Sequence, residues 1–161
     1  MTAQQRDRGG ARAARGGAPG CPLCEGEGGE VVWRDRKLRV ILPDEPDYPG
    51  FTRVVWAAHV AEMTDLAPAD RNRLMEVVWR VERAQRAVFA PHKINLASLG
   101  NVVAHLHWHV IPRWRDDRHF PQPVWGTPAP DRDEPARRRR DAARGCLEAY
   151  RGALAAACAP R

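Results

Sequence analysis

Apolar and polar positions alternate in short blocks over the first third of the chain. Val31–Trp33, the run Arg39-Val40-Ile41-Leu42 and the run Arg53-Val54-Val55-Trp56 are β-branched and aromatic. They predict strands over 31–33, 37–43 and 51–57. Between the last two, residues 44–50 hold Pro46, Pro49 and Gly50, a loop that joins antiparallel strands. The rhythm then changes to a spacing of three and four. Leu74, Val77, Val78, Val81, Ala84 and Val88 form one stripe, which predicts a helix over 68–89 with Pro68 at its first position and Pro91 past its end. Arg71, Arg73, Arg80, Arg83 and Arg86 lie off the stripe and read as a solvated face. Residues 93–98 predict a fourth strand and Leu99-Gly100-Asn101 a tight turn, where Gly100 permits a positive φ or a close backbone approach.

The strictest alternation follows. Ala104, Leu106, Trp108 and Val110 are interleaved with His105, His107 and His109, and Pro112 closes the run. A strand turns successive side chains to opposite faces, so the apolar set can enter a core while all three imidazoles share the other face, roughly 6–7 Å apart. Residues 113–130 contain Pro121, Pro123 and Pro128, which excludes a central strand and predicts a segment wrapping over the surface. From about Pro135 a C-terminal helix is expected, with Asp133 as a cap. Its stripe is Ala143, Cys146, Leu147, Tyr150, Leu154, Ala157 and Cys158, so both cysteines read as small buried hydrophobes.

Composition narrows the class without changing the elements. A chain of 161 residues, 43% hydrophobic and 29% charged, is sized for one soluble globular domain. No apolar run reaches the ~20 residues of a membrane span, and no secretory leader is visible, so the cytoplasm is the expected compartment. The net charge of +6 sits in the two ends. Residues 1–20, expected to be a disordered basic tail, carry four Arg and one Asp; residues 131–161, the helical extension, carry eight Arg and five acids; residues 21–130 balance at 14 of each sign. Specific nucleic-acid binding is therefore not expected.

Three imidazoles on one strand face serve either of two chemistries. They can ligate a cation, or a neutral imidazole can act as a nucleophile whose phosphoramidate turns over. Cys21-Pro-Leu-Cys24 reads as a metal knuckle or as two reduced thiols in a loop; it lacks the strand and helix that a thioredoxin-like pair needs. His59, at a strand exit, reads as a surface residue or a ligand, and the Asn101 amide as a phosphate donor or a turn stabiliser. His92 and His119 are left over; His119, in the loop after the triad strand, reads as a surface histidine or as one that approaches the phosphates.

The run His105-Leu106-His107-Trp108-His109-Val110-Ile111 resembles the His-x-His-x-His-x-x signature of the histidine-triad (HIT) family. Gly100-Asn101 resembles the Gly-Gln position before that triad, and Asn95 its phosphate- or ribose-side Asn/Gln. The resemblance covers roughly 21–125, within a domain placed at 21–130. It implies an α+β fold, with an antiparallel sheet of about five strands, a central helix and a C-terminal helix, paired as a homodimer. It implies a nucleotide hydrolase acting at the α-phosphate of dinucleoside polyphosphates or nucleoside phosphoramidates, with a purine such as adenine as the base, through a nucleotidyl-histidine intermediate. His107 would be the nucleophile and His109 would bind the phosphate and help protonate the leaving group. Asn101, Gly100 and Asn95 would contact the nucleotide, and Val40 and Leu42 would line the base pocket. Zinc-containing relatives have ligands like Cys21, Cys24, His59 and His105, so a structural Zn²⁺ with four protein ligands is expected. Trp108 departs from the smaller aliphatic residues common between the last two histidines. A uridylyltransferase-like nucleotidyltransferase and a non-catalytic nucleotide-binding adaptor are the alternatives. A repair enzyme removing adenylate from DNA ends fits poorly with the neutral centre of the chain.

Overall fold

The structure, a computed structural model, describes residues 17–159. The tail expected to be disordered lies outside the described residues as far as residue 16. Residues 17–20 are part of the fold: Ala18 packs beside Cys21, whose N–H donates to the Ala18 carbonyl at 3.1 Å.

The elements, in chain order, are the single helical turn α1 (Pro22–Glu25) and the strands β1 (Glu30–Arg34), β2 (Leu38–Leu42) and β3 (Thr52–Trp56). Then come the long helix α2 (Pro68–Phe89), β4 (Lys93–Ala97), β5 (His107–Arg113), α3 (Asp133–Gly145) and α4 (Leu147–Cys158). The five strands form one antiparallel sheet in the order β1-β2-β3-β5-β4. The fold is α+β.

One sheet face meets α2. Leu38, Val40, Val54, Leu106 and Val110 pack on Leu74, Val77, Val78 and Val81, the helix stripe read from the sequence. Burying a Leu or Val side chain contributes about 1.5–3 kcal/mol, so this layer is the main source of stability. Gln85 and Phe89 also turn inward. Gln85 Nε2 donates to the Gly50 and Val110 carbonyls at 2.9 and 2.8 Å, which fixes the helix across β3 and β5. Gly50, at φ +89°, lies where a Cβ would meet the Phe89 ring at 2.5 Å, so the loop needs glycine there.

The opposite face carries Arg39, Ile41, Arg53, Val55, His107, His109 and Ile111. Ile41 and Val55 pack beneath Cys21 and Leu23. A bulge in β1 between Val31 and Trp33 lets Val31 serve this small cluster while Val32 and Trp33 serve the main core.

The C-terminal region differs from the single helix expected. The chain makes two helices that meet at Cys146, and α4 packs on α2 and β1. Tyr150, Leu154 and Cys158 are fully buried in the main core, and the Tyr150 and Thr52 hydroxyls lie 2.7 Å apart. Cys146 sits at the junction and is only partly buried. Of the α2 arginines, Arg83 and Arg86 are exposed as their spacing suggests, but Arg80 is not: it donates to Glu76 at 2.9 Å and to the Ala157 carbonyl at 3.2 Å, tying α2 to the end of α4. Among the described residues, no helix is long and apolar enough to cross a membrane.

Candidate functional site

The triad strand begins two residues later than the alternation predicted. The His105 N–H turns to the Val103 carbonyl at 2.8 Å, and the Leu106 N–H goes to Val60 at 2.7 Å. Only from His107 does the chain join the ladder, with Val55 opposite His107 and Arg53 opposite His109. This break separates the histidines into one that faces the cysteines and two that stay together, with the rings of His107 and His109 4.7 Å apart.

Cys21, Cys24, His59 and His105 converge. Their donor atoms all lie within 4.8 Å of one another. His105 Nδ1 is 3.5 Å from Cys21 Sγ and 3.4 Å from Cys24 Sγ, and His59 Nδ1 is 3.4 Å from Cys24 Sγ. Tetrahedral zinc with ordinary Zn–S and Zn–N bonds would separate S and N by ~3.5 Å, so the donor set fits such an ion. The outer contacts fit as well. His105 Nε2–H donates to the Trp56 carbonyl at 2.8 Å, which leaves the Nδ1 lone pair turned to the thiols. Burial pushes the His105 pKa down and the Cys24 thiol up, so the His105 ring is neutral. Arg39 anchors the knuckle from below, donating to the Leu23, Gly26 and Glu27 carbonyls at 2.7, 3.2 and 3.1 Å. The four residues could hold a metal.

His107 and His109 line a cleft of about 440 Å³. Its walls are Pro22, Leu23 and Gly28 from the knuckle, the loop Leu99–Val103, Arg53 and Trp125. His107 is buried, and its Nδ1–H donates to the His105 carbonyl at 2.6 Å. That bond fixes the tautomer: Nδ1 carries the proton and Nε2 the lone pair. Burial lowers the pKa of His107, opposed by that carbonyl and assisted by the Arg53 charge. His109 is pushed down to about 3, first by burial and then by the charges of His107 and Arg53. Both rings are therefore neutral near pH 7. Rings of Phe51 and Trp125 stand edge-on to His109 at 5.4 and 5.2 Å, and its Nδ1 is buried with no hydrogen bond.

The residues predicted to accompany the triad divide. Gly100 and Asn101 line the cleft, and Gly100 has φ +83° while a Cβ there would meet only the Val103 carbonyl at an ordinary 3.8 Å, so conformation and not crowding calls for glycine. Asn95 is not brought in. It shares the histidine face but lies further along β4, where its Oδ1 accepts from Arg113 at 2.8 Å, in a depression on the far side of Trp125. Val40 and Leu42 belong to the face packed on α2, so they cannot line a pocket beside the histidines. Pro22, Leu23 and the exposed Leu99 and Val102 supply the apolar lining instead.

His119 was read as a surface residue and is buried. Its Nδ1 lies 2.5 Å from the Tyr48 hydroxyl. The segment after β5 is not a loose wrap either. Arg113 and Asp117 pair at 2.7 Å, both almost fully buried. Burial works against the Asp117 charge, but Arg113 and the N–H groups of Trp114, His119 and Phe120 hold its pKa below the usual range. This network fixes the loop that delivers Trp125.

Besides that apolar lining, the sequence reading does not point to Trp125 or Arg53 as cleft residues. Trp125 carried no signal beyond its place among prolines. Arg53 did: it is a cation inside a β-branched run, on the strand face that its register gives to the histidines.

Comparison with known proteins agrees with this geometry. A HIT domain family model matches residues 27–116. A curated relative from Mycobacterium tuberculosis named AP-4-A phosphorylase is 31% identical over 112 residues, 66% of this chain and 57% of that protein. One from Schizosaccharomyces pombe, named Bis(5'-nucleosyl)-tetraphosphatase [asymmetrical], is 27% identical over 56% of this chain and 52% of its own length. The chain thus spans a little over half the length of these relatives. Among solved structures, a histidine triad protein from Bradyrhizobium japonicum superposes with a TM-score of 0.58 at 28% identity, covering 75% of this chain and 92% of its own. A Zn-bound histidine triad family protein from Mycobacterium smegmatis superposes at 0.51 with 26% identity, over 81% and 97% of the two chains.

Proposed function

Because the chain belongs to the HIT domain family, we propose that it transfers or hydrolyses nucleotides by covalent catalysis at His107. The observation that carries this reading is the 2.6 Å bond from His107 Nδ1–H to the His105 carbonyl. It leaves Nε2 with its lone pair on a neutral ring inside a cleft of nucleotide size. His107 Nε2 attacks the α-phosphorus, and the bond from that phosphorus to the bridging oxygen or nitrogen breaks. The leaving group departs with a proton. Water or inorganic phosphate then attacks the same phosphorus, the P–N bond to His107 breaks, the nucleotide leaves, and the proton lost by water passes to solvent through His109 as the imidazole is restored. His109 enters as a neutral hydrogen-bonding group; the negative charge of the phosphate beside it raises its proton affinity, so that it takes up a proton from solvent and hands it to the leaving group. Asn101 and Gly100 line the phosphate side, and a purine base rests between Pro22, Leu23 and the Leu99–Val103 loop.

The metal at Cys21, Cys24, His59 and His105 is zinc on this reading, supported by the two thiolates and two imidazoles and by the Zn-bound structural relative. With four protein ligands it cross-links the fold and leaves no position for substrate. His105 then serves two tasks through different atoms: its ring holds the metal, and its carbonyl holds His107.

The acceptor divides two versions of the reaction. The relatives are named for phosphorolysis in one case and hydrolysis in the other. The metal-loaded protein, given diadenosine tetraphosphate, diadenosine triphosphate or adenosine phosphoramidate, is expected to release AMP in buffer without phosphate. ADP appearing from the polyphosphates only when inorganic phosphate is added identifies the phosphorylase. No turnover of any substrate by folded, metal-loaded protein, with or without phosphate, overturns the enzyme reading in favour of an adaptor.

A homodimer is part of this proposal. β4 is an edge strand, and Leu96 on it is exposed. Sedimentation velocity is expected to give twice the chain mass; a monomer at tens of micromolar contradicts it.

A further inference from the structure

Arg53 is the one formally charged side chain among the described residues lining the histidine cleft. Its position is built. In the β3–β5 register it stands opposite His109. Its guanidinium lies 5.7 Å from the Phe51 ring centroid, and Nη2 donates to Glu45 Oε1 at 3.2 Å. Glu45 belongs to the loop between β2 and β3, so the guanidinium is held toward that loop at the wall of the cleft that His107 and His109 line. The Nε–H is buried and has no hydrogen bond. A guanidinium offers five N–H donors, and one bond to Glu45 leaves most of that capacity directed elsewhere. A buried donor without a partner costs about 1–3 kcal/mol, and a half-buried cation in a strand costs more, so a leucine here would be the stable choice.

A phosphate chain resolves each of these points. One phosphate lies at His107 and His109, and the next lies to the side, where a planar donor fork suits its oxygens. We propose that Arg53 binds the phosphate adjacent to the one attacked by His107, so that this site selects nucleotides with a polyphosphate leaving group over those with a single phosphate. The inference rests on the reading of the cleft as a nucleotide site. It also separates the two substrate classes that this reading leaves together.

The test is calorimetric binding of ATP, as its uncleavable α,β-methylene analogue, and of AMP to the zinc-loaded full chain without added magnesium, which asks nothing of catalysis. The wild type is expected to bind ATP about 10- to 100-fold more tightly than AMP, the range for charge-assisted hydrogen bonds. In Arg53→Gln the two affinities should converge to within about threefold, and Arg53→Lys should keep an intermediate ratio because it retains charge without the fork. Equal affinities in the wild type overturn the proposal even if no variant folds. An unchanged ratio in Arg53→Gln also overturns it. If neither nucleotide binds, the nucleotide-site reading fails and takes this inference with it. If the ratio behaves as expected while turnover is independent of His107, the covalent reading alone fails.

Discussion

His107→Ala is expected to lower turnover of diadenosine tetraphosphate by at least about 10⁴-fold, because a covalent route loses its nucleophile outright and only binding and positioning remain. The effect should fall on kcat, with the affinity for substrate changed much less. Thermal unfolding separates this from loss of fold. His107 is buried, but among the described residues its ring makes one hydrogen bond, to the His105 carbonyl, so the variant should unfold within a few degrees of the wild type. His109→Ala provides the contrast. It removes a neutral hydrogen-bonding group and a proton carrier, and losses of about 10²–10⁴ are typical of such groups. A His107→Ala protein that is folded and retains a tenth of wild-type turnover would move the chemistry elsewhere in the cleft.

Replacing a metal ligand should cost more stability than any change in the cleft. Cys24→Ser, or chelation of the wild type, is expected to lower unfolding free energy by at least about 3 kcal/mol, since a four-ligand zinc site contributes its binding energy directly to folding. The reason is local. The knuckle is a single helical turn, Pro22–Glu25, far too short to persist alone. Its apolar anchor is the small cluster of Cys21, Leu23, Ile41 and Val55. Without the cross-link, Arg39 and that cluster must hold it unaided. Turnover should fall along with stability, since Pro22 and Leu23 wall the cleft and the His105 carbonyl sets the His107 tautomer. Elemental analysis should give one zinc per chain, released in Cys24→Ser. Protein that folds with no metal and equal stability would show the four residues to be a hydrogen-bonded cluster only.

Local patterning made much of this molecule legible. The stripe Leu74–Ala84 and the run of alternating residues through Val110 carry their own periods, and each is buried on the face those periods select. The histidines were legible as a group because alternation puts them on one face. What alternation does not carry is how far along a strand a residue lies. Asn95 has the correct face and the wrong position, two residues past the cleft and engaged by Arg113. Nor does it reveal where a ladder stops. His105 leaves the sheet because its backbone bonds elsewhere, and that departure is what turns its ring toward the thiols. Val40 and Leu42 were assigned to the cleft when the parity of β2 gives them to α2 and gives Arg39 and Ile41 to the other side. His119 and Asp117 were illegible because their partners, Tyr48 and Arg113, come from other segments and no local pattern pairs them. The break at Cys146 was equally hidden, since one apolar stripe runs through both helices.

The central claim is a two-step reaction through His107, and the stereochemical course at phosphorus tests it most directly. A substrate with an α-phosphorothioate of one configuration is turned over in ¹⁸O water, and the configuration of the released nucleotide is read. Two in-line displacements, one by His107 and one by water, predict overall retention. Inversion would mean that water attacks the substrate directly, and would contradict a nucleotidyl-histidine intermediate.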